Sequence, residues 1–175
     1  GPSWYWMPDV FEKFFSHFGK SPGDYYSLQR IDPSYRIFFG KSDFVDIPAD
    51  FEGICALFEA HEPGAALALK KYLSESKTKY DVGVGNLVYK PGIAISELLD
   101  RSILTNLFRL HLFSSISSYI RKYFRHPRLI SILEFPVLFL GAKPENSRAL
   151  YSLMNYADMQ LGTWYPRGGM FSVVE

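Results

Sequence analysis

The sequence predicts an α+β fold, mainly helical with a small antiparallel sheet, and three observations lead there. Phenylalanines recur at helical spacing within the first twenty residues. Short runs of alternating polarity, punctuated by Asp-Pro and Gly-Lys pairs, come next. Beyond residue 50 the chain carries helix starts and few strand signals. At 175 residues, 47% hydrophobic and 17% aromatic, the chain has enough apolar matter for one packed domain and too much for disorder.

In "PDVFEKFFSHFGK", Asp9 and Glu12 stand at capping-box spacing, Val10, Phe11, Phe14, Phe15 and Phe18 form one helical stripe, and Gly19 ends it, which predicts a helix over about 9–18. "YSLQRIDPSYRIFFGKSDFVDIP" predicts two or three antiparallel strands, with turns at Asp32-Pro33 and Gly40-Lys41. Asp50 can cap a helix reaching about Ala60, and Glu62-Pro63 can open another that reaches about Lys79. Gly83, Gly85, Pro91 and Gly92 interrupt the order around "NLVYK", so a loop or short extended piece is expected there. A helix starting near Ser96 then leads into helical chain to about Leu161, broken at Pro127, near Pro136 and from Gly141 to Pro144.

Several chemistries are excluded by what the residues lack. The single cysteine, Cys55, rules out an internal disulfide and a cysteine-based zinc site, and its expected place is the core. His17, His61, His111 and His126 are scattered without ligand spacing, so no metal is expected. "GVGNLVYKPG" is only a loose relative of GxGxxG: the third glycine is missing and no clear strand precedes it, so Gly83 and Gly85 read as turn residues. No run of 18 uncharged apolar residues exists. The net charge of +1 hides a segregation: residues 1–100 carry ten Lys/Arg against fourteen Asp/Glu, whereas residues 101–143 carry seven against one. That block mixes its cations with Leu, Ile and Phe in no nucleic-acid motif, which points to a membrane surface as partner and away from nucleic acid.

The order of segments says more than any short motif. "GPSWYWMPDVFEKFFSHFGK", "YYSLQRIDPSYRIFF", "FEAHEPGA" and "LEFPVLFLGAKPENSRALYSLMNYADMQLGTWYPRGGM" together resemble the carotenoid (phytoene) desaturase family of FAD-dependent oxidoreductases, particularly its bacterial members, along essentially the whole chain. The resemblance implies a flavoprotein with a Rossmann-type dinucleotide domain assembled around a substrate-binding domain, acting on long polyenes at a membrane. In the family, the GxGxxG phosphate-binding segment lies upstream of the "GPS" stretch and a second flavin-contacting segment lies near the C-terminus. Residues 1–175 are therefore expected to be the central, substrate-binding and membrane-facing portion, with FAD bound mainly by segments that this chain does not contain.

The same resemblance assigns candidate residues. Gly1, Pro2 and Ser3 match the family's flavin-side "GPS" stretch, although a frayed terminus is the alternative. In "WYPRGGM", Trp164, Tyr165 and Pro166 form a stiff wall and Gly168-Gly169 lets backbone approach a bulky planar group, with Arg167 at the junction. By resemblance Tyr165, Pro166, Arg167, Gly168 and Gly169 lie near the flavin, at the entry to a helix whose amides face the cofactor; a plain helix-start turn is the alternative. Desaturation removes a hydride and a proton from neighbouring carbons, and the acid matching the family position is Glu97, which in the first turn of a helix capped by Ser96 also has a simple dipole role. A hydrocarbon substrate offers nothing to hydrogen-bond, so its binding must come from apolar area. Phe108, Leu112, Phe113, Ile116, Phe135, Phe139, Leu153, Met154 and Trp164 are the candidate lining, and ordinary core is the alternative for such stripes.

These expectations add up to an FAD-dependent carotenoid desaturase whose substrate is a long polyene. The whole protein would be cytoplasmic and peripheral on the inner face of the cell membrane. Leu104, Leu107, Phe108 and Leu110 would dip into lipid, and an uncovered apolar face would favour homo-oligomers of the isolated chain. The alternatives are a carotenoid isomerase or saturase on the same scaffold, or a non-catalytic module binding an apolar ligand or a membrane.

Overall fold

The computed structural model describes residues 4–87 and 113–175. Gly1, Pro2, Ser3, the helix expected from Ser96 with Glu97, and Leu104, Leu107, Phe108, Leu110 and Leu112 lie outside the described residues. Two compact units divide the chain, the first made of Gly1–Ile54 and Ala157–Glu175, the second of Cys55–Tyr156. Among the described residues the fold is α+β, mainly helical with two small antiparallel pairs of strands.

The first unit opens with α1, Pro8–Ser16, whose phenylalanine stripe follows the predicted spacing. The expected Asp9–Glu12 capping box is not the start signal. Pro8 occupies the first helical turn, Met7 precedes it with φ 54, no side chain caps the end, and Asp9 sits in the first turn. Ser21 and Asp24 do form a reciprocal box: the Gly23 amide donates to Ser21 Oγ at 3.2 Å and the Ser21 amide to Asp24 Oδ2 at 2.8 Å. The predicted hairpin is present as β2, Tyr35–Phe38, against β3, Phe44–Ile47, with Arg36 opposite Asp46. The Arg36 guanidinium grips both Asp46 carboxylate oxygens, at 2.6 and 2.8 Å, and lies 3.8 Å over the Phe44 ring. Strand β1, Leu28–Arg30, pairs with β4, Trp164–Pro166, near the other end of the sequence. Trp164–Pro166 is thus a strand and not the entry to a helix. Only a single 3-10 turn, Met170–Val173, follows the glycine pair.

Most of α2, Phe51–His61, belongs to the second unit and is followed there by α3, Ala65–Val82. Asp50 caps α2 as expected, accepting from the Gly53 amide at 2.6 Å. Glu62-Pro63 does not open α3, which begins after Gly64 with φ 84. Its exposed amides are satisfied by Glu59, whose two carboxylate oxygens accept from Gly64 N at 2.8 Å and Ala66 N at 3.0 Å and which these bonds hold below its ordinary pKa. Glu62 reaches across the sequence to accept the Arg125 and His126 amides at 2.9 and 2.8 Å, and so steadies the start of α5, Pro127–Glu134. Pro127 starts that helix where a break was predicted.

Chain expected to be helical to Leu161 is more fragmented than predicted. Helix α4 is only Ile116–Ile120. A 3-10 turn spans Phe135–Leu140, another spans Ala149–Ser152, α6 is Leu153–Tyr156, and a π-helical turn covers Ala157–Leu161. Gly83 and Gly85 likewise extend α3 as a π-helical turn, Gly83–Leu87. Cys55 is buried, as predicted.

The core of the second unit holds a lysine. Leu69, Tyr72, Leu73, Ser76 and Lys79 fall on one face of α3, and all are buried. Lys79 Nζ donates to Ser152 Oγ at 2.9 Å and lies 3.5 Å over the Tyr119 ring, whose hydroxyl donates to Glu75 Oε2 at 2.5 Å. Burial, opposed by Glu75 and aided by Lys122, pulls Lys79 down to about 7. Tyr72 donates to Asn155 Oδ1 at 3.1 Å, and Asn155 Nδ2 donates to the Leu133 carbonyl at 2.9 Å, so these buried polar atoms have partners.

The folded chain therefore releases the Lys79 proton near pH 7, while the unfolded chain holds it to about 10.4. Stability contributed at this group is lowest at and below pH 7 and grows as pH rises toward 10. Relative to the unsubstituted chain, Lys79→Met is expected to stabilise most at pH 7 and to lose roughly 2–3 kcal/mol of that advantage by pH 9. Denaturant melts at the two pH values check it, and an advantage equal at both would show that Lys79 keeps its proton in the fold.

Candidate functional site

The "WYPRGGM" bend is built by contacts from three separated stretches of the first unit. Leu28 faces Pro166, Gln29 faces Tyr165 and Arg30 faces Trp164, and the Arg167 amide donates to the Ser27 carbonyl at 2.8 Å. On the other side of Trp164, Tyr5 exchanges both backbone bonds with it, at 2.8 and 2.9 Å. Tyr5 is itself fixed by its hydroxyl, 2.9 Å from that of Tyr26, and by the Phe11 ring at 4.3 Å. The indole Nε1 of Trp164 donates to the Leu161 carbonyl at 2.8 Å. Strand pairing on both edges and a tethered ring hold Trp164 in one orientation.

Beyond β4 the chain turns on two glycines. Gly168 has φ 93 and Gly169 φ 95, conformations in which a side chain is strained, and the Gly169 amide closes the turn on the Pro166 carbonyl at 3.0 Å. Ser172 fixes the far side by donating its hydroxyl to the Gly169 carbonyl at 2.8 Å. Arg167 and Gly168 are exposed, and Tyr165 is half-buried.

Behind the bend lies a buried carboxyl that sequence reading did not single out. Asp158, in the π-helical turn, accepts a short hydrogen bond on Oδ2 from the Tyr35 hydroxyl and a long one on Oδ1 from Thr163 Oγ1 at 3.4 Å. Burial pushes Asp158 up to about 6, against the pull of those two hydroxyls and of the Arg30 charge. The Tyr35 hydroxyl is raised far above its ordinary range, first by burial and then by Asp158. Arg30 donates from Nη2 to the Ala49 carbonyl at 2.6 Å, stands 5.5 Å from the Trp164 ring centre, and lies directly over Gly162. A Cβ at Gly162, which has φ 84, would come within 2.3 Å of Arg30 Cζ. The one signal for this arrangement in the sequence is the Asp-x-x-x-Gly-Thr-Trp run from 158 to 164.

Of the candidate apolar lining, Trp164 belongs to the first unit, while Phe113, Ile116, Phe135, Phe139, Leu153 and Met154 belong to the second. Phe135 and Phe139 stack edge to face at 5.6 Å. Leu153 and Met154 are half-buried on α6, Ile116 is in the core, and Phe113 and Phe139 stand at 90% and 48% exposure. Among the described residues no three metal-ligating side chains come together, and no helix is long and apolar enough to cross a membrane.

No family model matches the chain. Curated relatives match it end to end. A carotenoid 3,4-desaturase of Haloarcula japonica is 43% identical over 176 residues, which is 100% of this chain and 36% of that protein. A phytoene desaturase of Phycomyces blakesleeanus is 30% identical over 176 residues, again 100% of this chain and 30% of that protein. A zeta-carotene-forming phytoene desaturase of Myxococcus xanthus is 27% identical over 173 residues, covering 99% of this chain and 34% of that protein. The chain is thus similar along its whole length to carotenoid and phytoene desaturases, and it spans about a third of the length of the relatives it matches.

The seat of Arg30 makes Gly162 a test of the site's construction. Gly162→Ala is expected to destabilise the chain by roughly 1–3 kcal/mol, the sum of a strained positive φ and displacement of the guanidinium from the Ala49 carbonyl. In an Arg30→Ala background only the backbone part, about 1–2 kcal/mol, should remain. Equal costs in the two backgrounds would show that the arginine does not rest on this glycine.

Proposed function

We propose that the complete protein is an FAD-dependent carotenoid desaturase and that this chain is its central, substrate-binding and membrane-facing portion, within a fold that also carries a Rossmann-type dinucleotide domain. The observation that carries this reading is the match of the entire chain, at 43% identity, to part of a carotenoid 3,4-desaturase, together with matches to phytoene desaturases.

The bend at Trp164–Gly169 suits a planar, phosphate-bearing cofactor: it offers a fixed indole, a half-buried phenol, two peptide units free of side chains, and an exposed guanidinium. Tyr165, Pro166, Arg167, Gly168 and Gly169 would hold the flavin, together with Gly1, Pro2 and Ser3. When bound, the flavin supplies hydride acceptance. The residues of the chain supply the rest. Trp164 and Tyr165 offer one ring to each side of β4, Arg167 offers positive charge, and Glu97 would be the polar group nearest the reacting carbons, where a carboxylate can take a proton or steady positive charge. Phe108, Leu112, Phe113, Phe135, Phe139, Leu153 and Met154 would hold an acyclic polyene by apolar area alone, whereas Ile116 is taken up by the core.

The direct test is to express the complete reading frame and incubate the purified protein with FAD and an acyclic carotene. Bound flavin absorbance and a red-shifted polyene spectrum are expected. Conversion without any lengthening of the conjugated system would point to an isomerase instead. Glu97→Gln is expected to lower turnover at least tenfold while leaving bound flavin unchanged; undiminished turnover would remove Glu97 from the site.

Membrane contact is proposed for residues 101–143. In the second unit Leu138, Phe139 and Leu140 are exposed beside exposed Lys143, and Lys122 and Arg125 are exposed as well. Arg121 is already paired with Glu134 at 2.6 Å, which makes it a weaker lipid contact than its neighbours. Sedimentation with vesicles of phosphatidylglycerol is expected to fall when Lys122 and Arg125 become Glu, and to fall with added salt. Binding that ignores both would refute an electrostatic contribution. Such contact would put the protein at the cytoplasmic face of the cell membrane.

A further inference from the structure

The proposed flavin-facing bend is held from behind by a group whose own charge is poorly accommodated. Asp158 is the last acidic residue before the bend, five positions ahead of Thr163, and it contacts both the hairpin and the residue that leads into the bend. Its Oδ2 takes the Tyr35 hydroxyl from β2, and its Oδ1 faces the Thr163 hydroxyl, whose own carbonyl accepts from the Ile31 amide at 3.0 Å at the end of β1. The groups facing it are therefore the titratable Tyr35 from β2, the cation Arg30 from β1, and the neutral Thr163 from the turn before β4.

We propose that Asp158 is a positioning residue for the Trp164–Gly169 bend, and that the presence or absence of its proton sets how Thr163, and with it Trp164, is held. This deepens the desaturase reading by naming what positions the proposed cofactor-facing segment, and it rests on that reading only for the identity of the ligand.

Two hydrogen-bond patterns follow from the two protonation states. As a carboxylate, Asp158 only accepts, from Tyr35 on one oxygen and from Thr163 on the other. Once protonated, one oxygen becomes a donor. Because the Tyr35 hydroxyl already donates to Oδ2, the proton falls to Oδ1, the side that faces Thr163 Oγ1 across 3.4 Å. A donor there turns the loose contact into a bond in the opposite direction, and the Thr163 hydroxyl hydrogen must rotate away. Thr163 immediately precedes Trp164, so the change is transmitted over one peptide unit. Arg30 feels the same switch, since its charge acts on Asp158 while its guanidinium stands 5.5 Å from the Trp164 ring centre. The neutral form is favoured by burial, which brings the transition into the range where a cell's pH can move it.

The experiment needs neither flavin nor polyene. The chain has three tryptophans, and substituting Trp4 and Trp6 by Phe leaves Trp164 as the sole indole reporter. Its fluorescence, titrated between pH 4.5 and 8, is expected to show a single step centred near pH 6 while far-ultraviolet circular dichroism stays constant. Asp158→Asn should abolish the step. Tyr35→Phe removes a bond that favours the carboxylate, so it should move the midpoint to higher pH. It also decides the matter if Asp158→Asn does not fold. A flat titration, a step that survives Asp158→Asn, or a midpoint indifferent to Tyr35→Phe would each overturn the proposal. Failure of the complete protein to desaturate a carotene would leave this result standing and remove only the flavin as the ligand of the bend.

Discussion

The pairing of β1 with β4 is the contact on which the first unit depends. Three residue pairs join Leu28–Arg30 to Trp164–Pro166 across more than a hundred residues of sequence. Closing a loop of that length is entropically costly, and three ladder pairs do not offset it alone. What completes the junction is a set of contacts available only once the strands are aligned: the Tyr5 bridge on the far edge of Trp164, Arg30 seated on Gly162, and the Asp158 carboxyl received by Tyr35. Each would be a buried or strained liability by itself. Together they hold one tryptophan and the turn that follows it.

Both units solve the same problem, a polar group buried next to aromatic rings, and reach different answers. In the second unit Lys79 has a hydroxyl acceptor, a ring face and a nearby carboxylate, yet desolvation outweighs them and its affinity for a proton falls. In the first, Asp158 has two hydroxyl donors and a neighbouring arginine, and desolvation again prevails. Taking a charge out of water costs more than a few neutral dipoles return. Exposed Asp46 shows the contrast: with a bidentate arginine and open solvent it is held below the ordinary carboxylate range.

How much of this was legible in the sequence depended on how far apart the partners lie. The β2–β3 hairpin and the Asp50 cap of α2 are settled within a few residues, and each was readable. The caps that open α3 and α5 come from Glu59 and Glu62, five to sixty-four positions away, so Glu62-Pro63 pointed to a start that does not occur. Trp164–Pro166 was expected at a helix entry by resemblance alone, and its strand partner sits near the opposite terminus, out of reach of local sequence. The expected break near Pro136 is present, and the excess of predicted helix lies further on, where Ala149–Ser152 and Ala157–Leu161 wind as 3-10 and π-helical turns with no proline or glycine inside them to announce it. Asp158 was missed since nothing in its neighbours reports burial. The family resemblance was legible because it lies in the order of long segments and not in any short motif.

One consequence reaches into synthesis. Because the first unit is assembled from Gly1–Ile54 and Ala157–Glu175 with the whole of Cys55–Tyr156 between them, its early strand emerges from the ribosome without its mate. At about 5–20 residues per second the wait is on the order of ten seconds. During that interval the contiguous unit is the first to have all its parts, while the Leu28–Arg30 edge stands open to other extended chains, the circumstance in which nascent polypeptides call on chaperones.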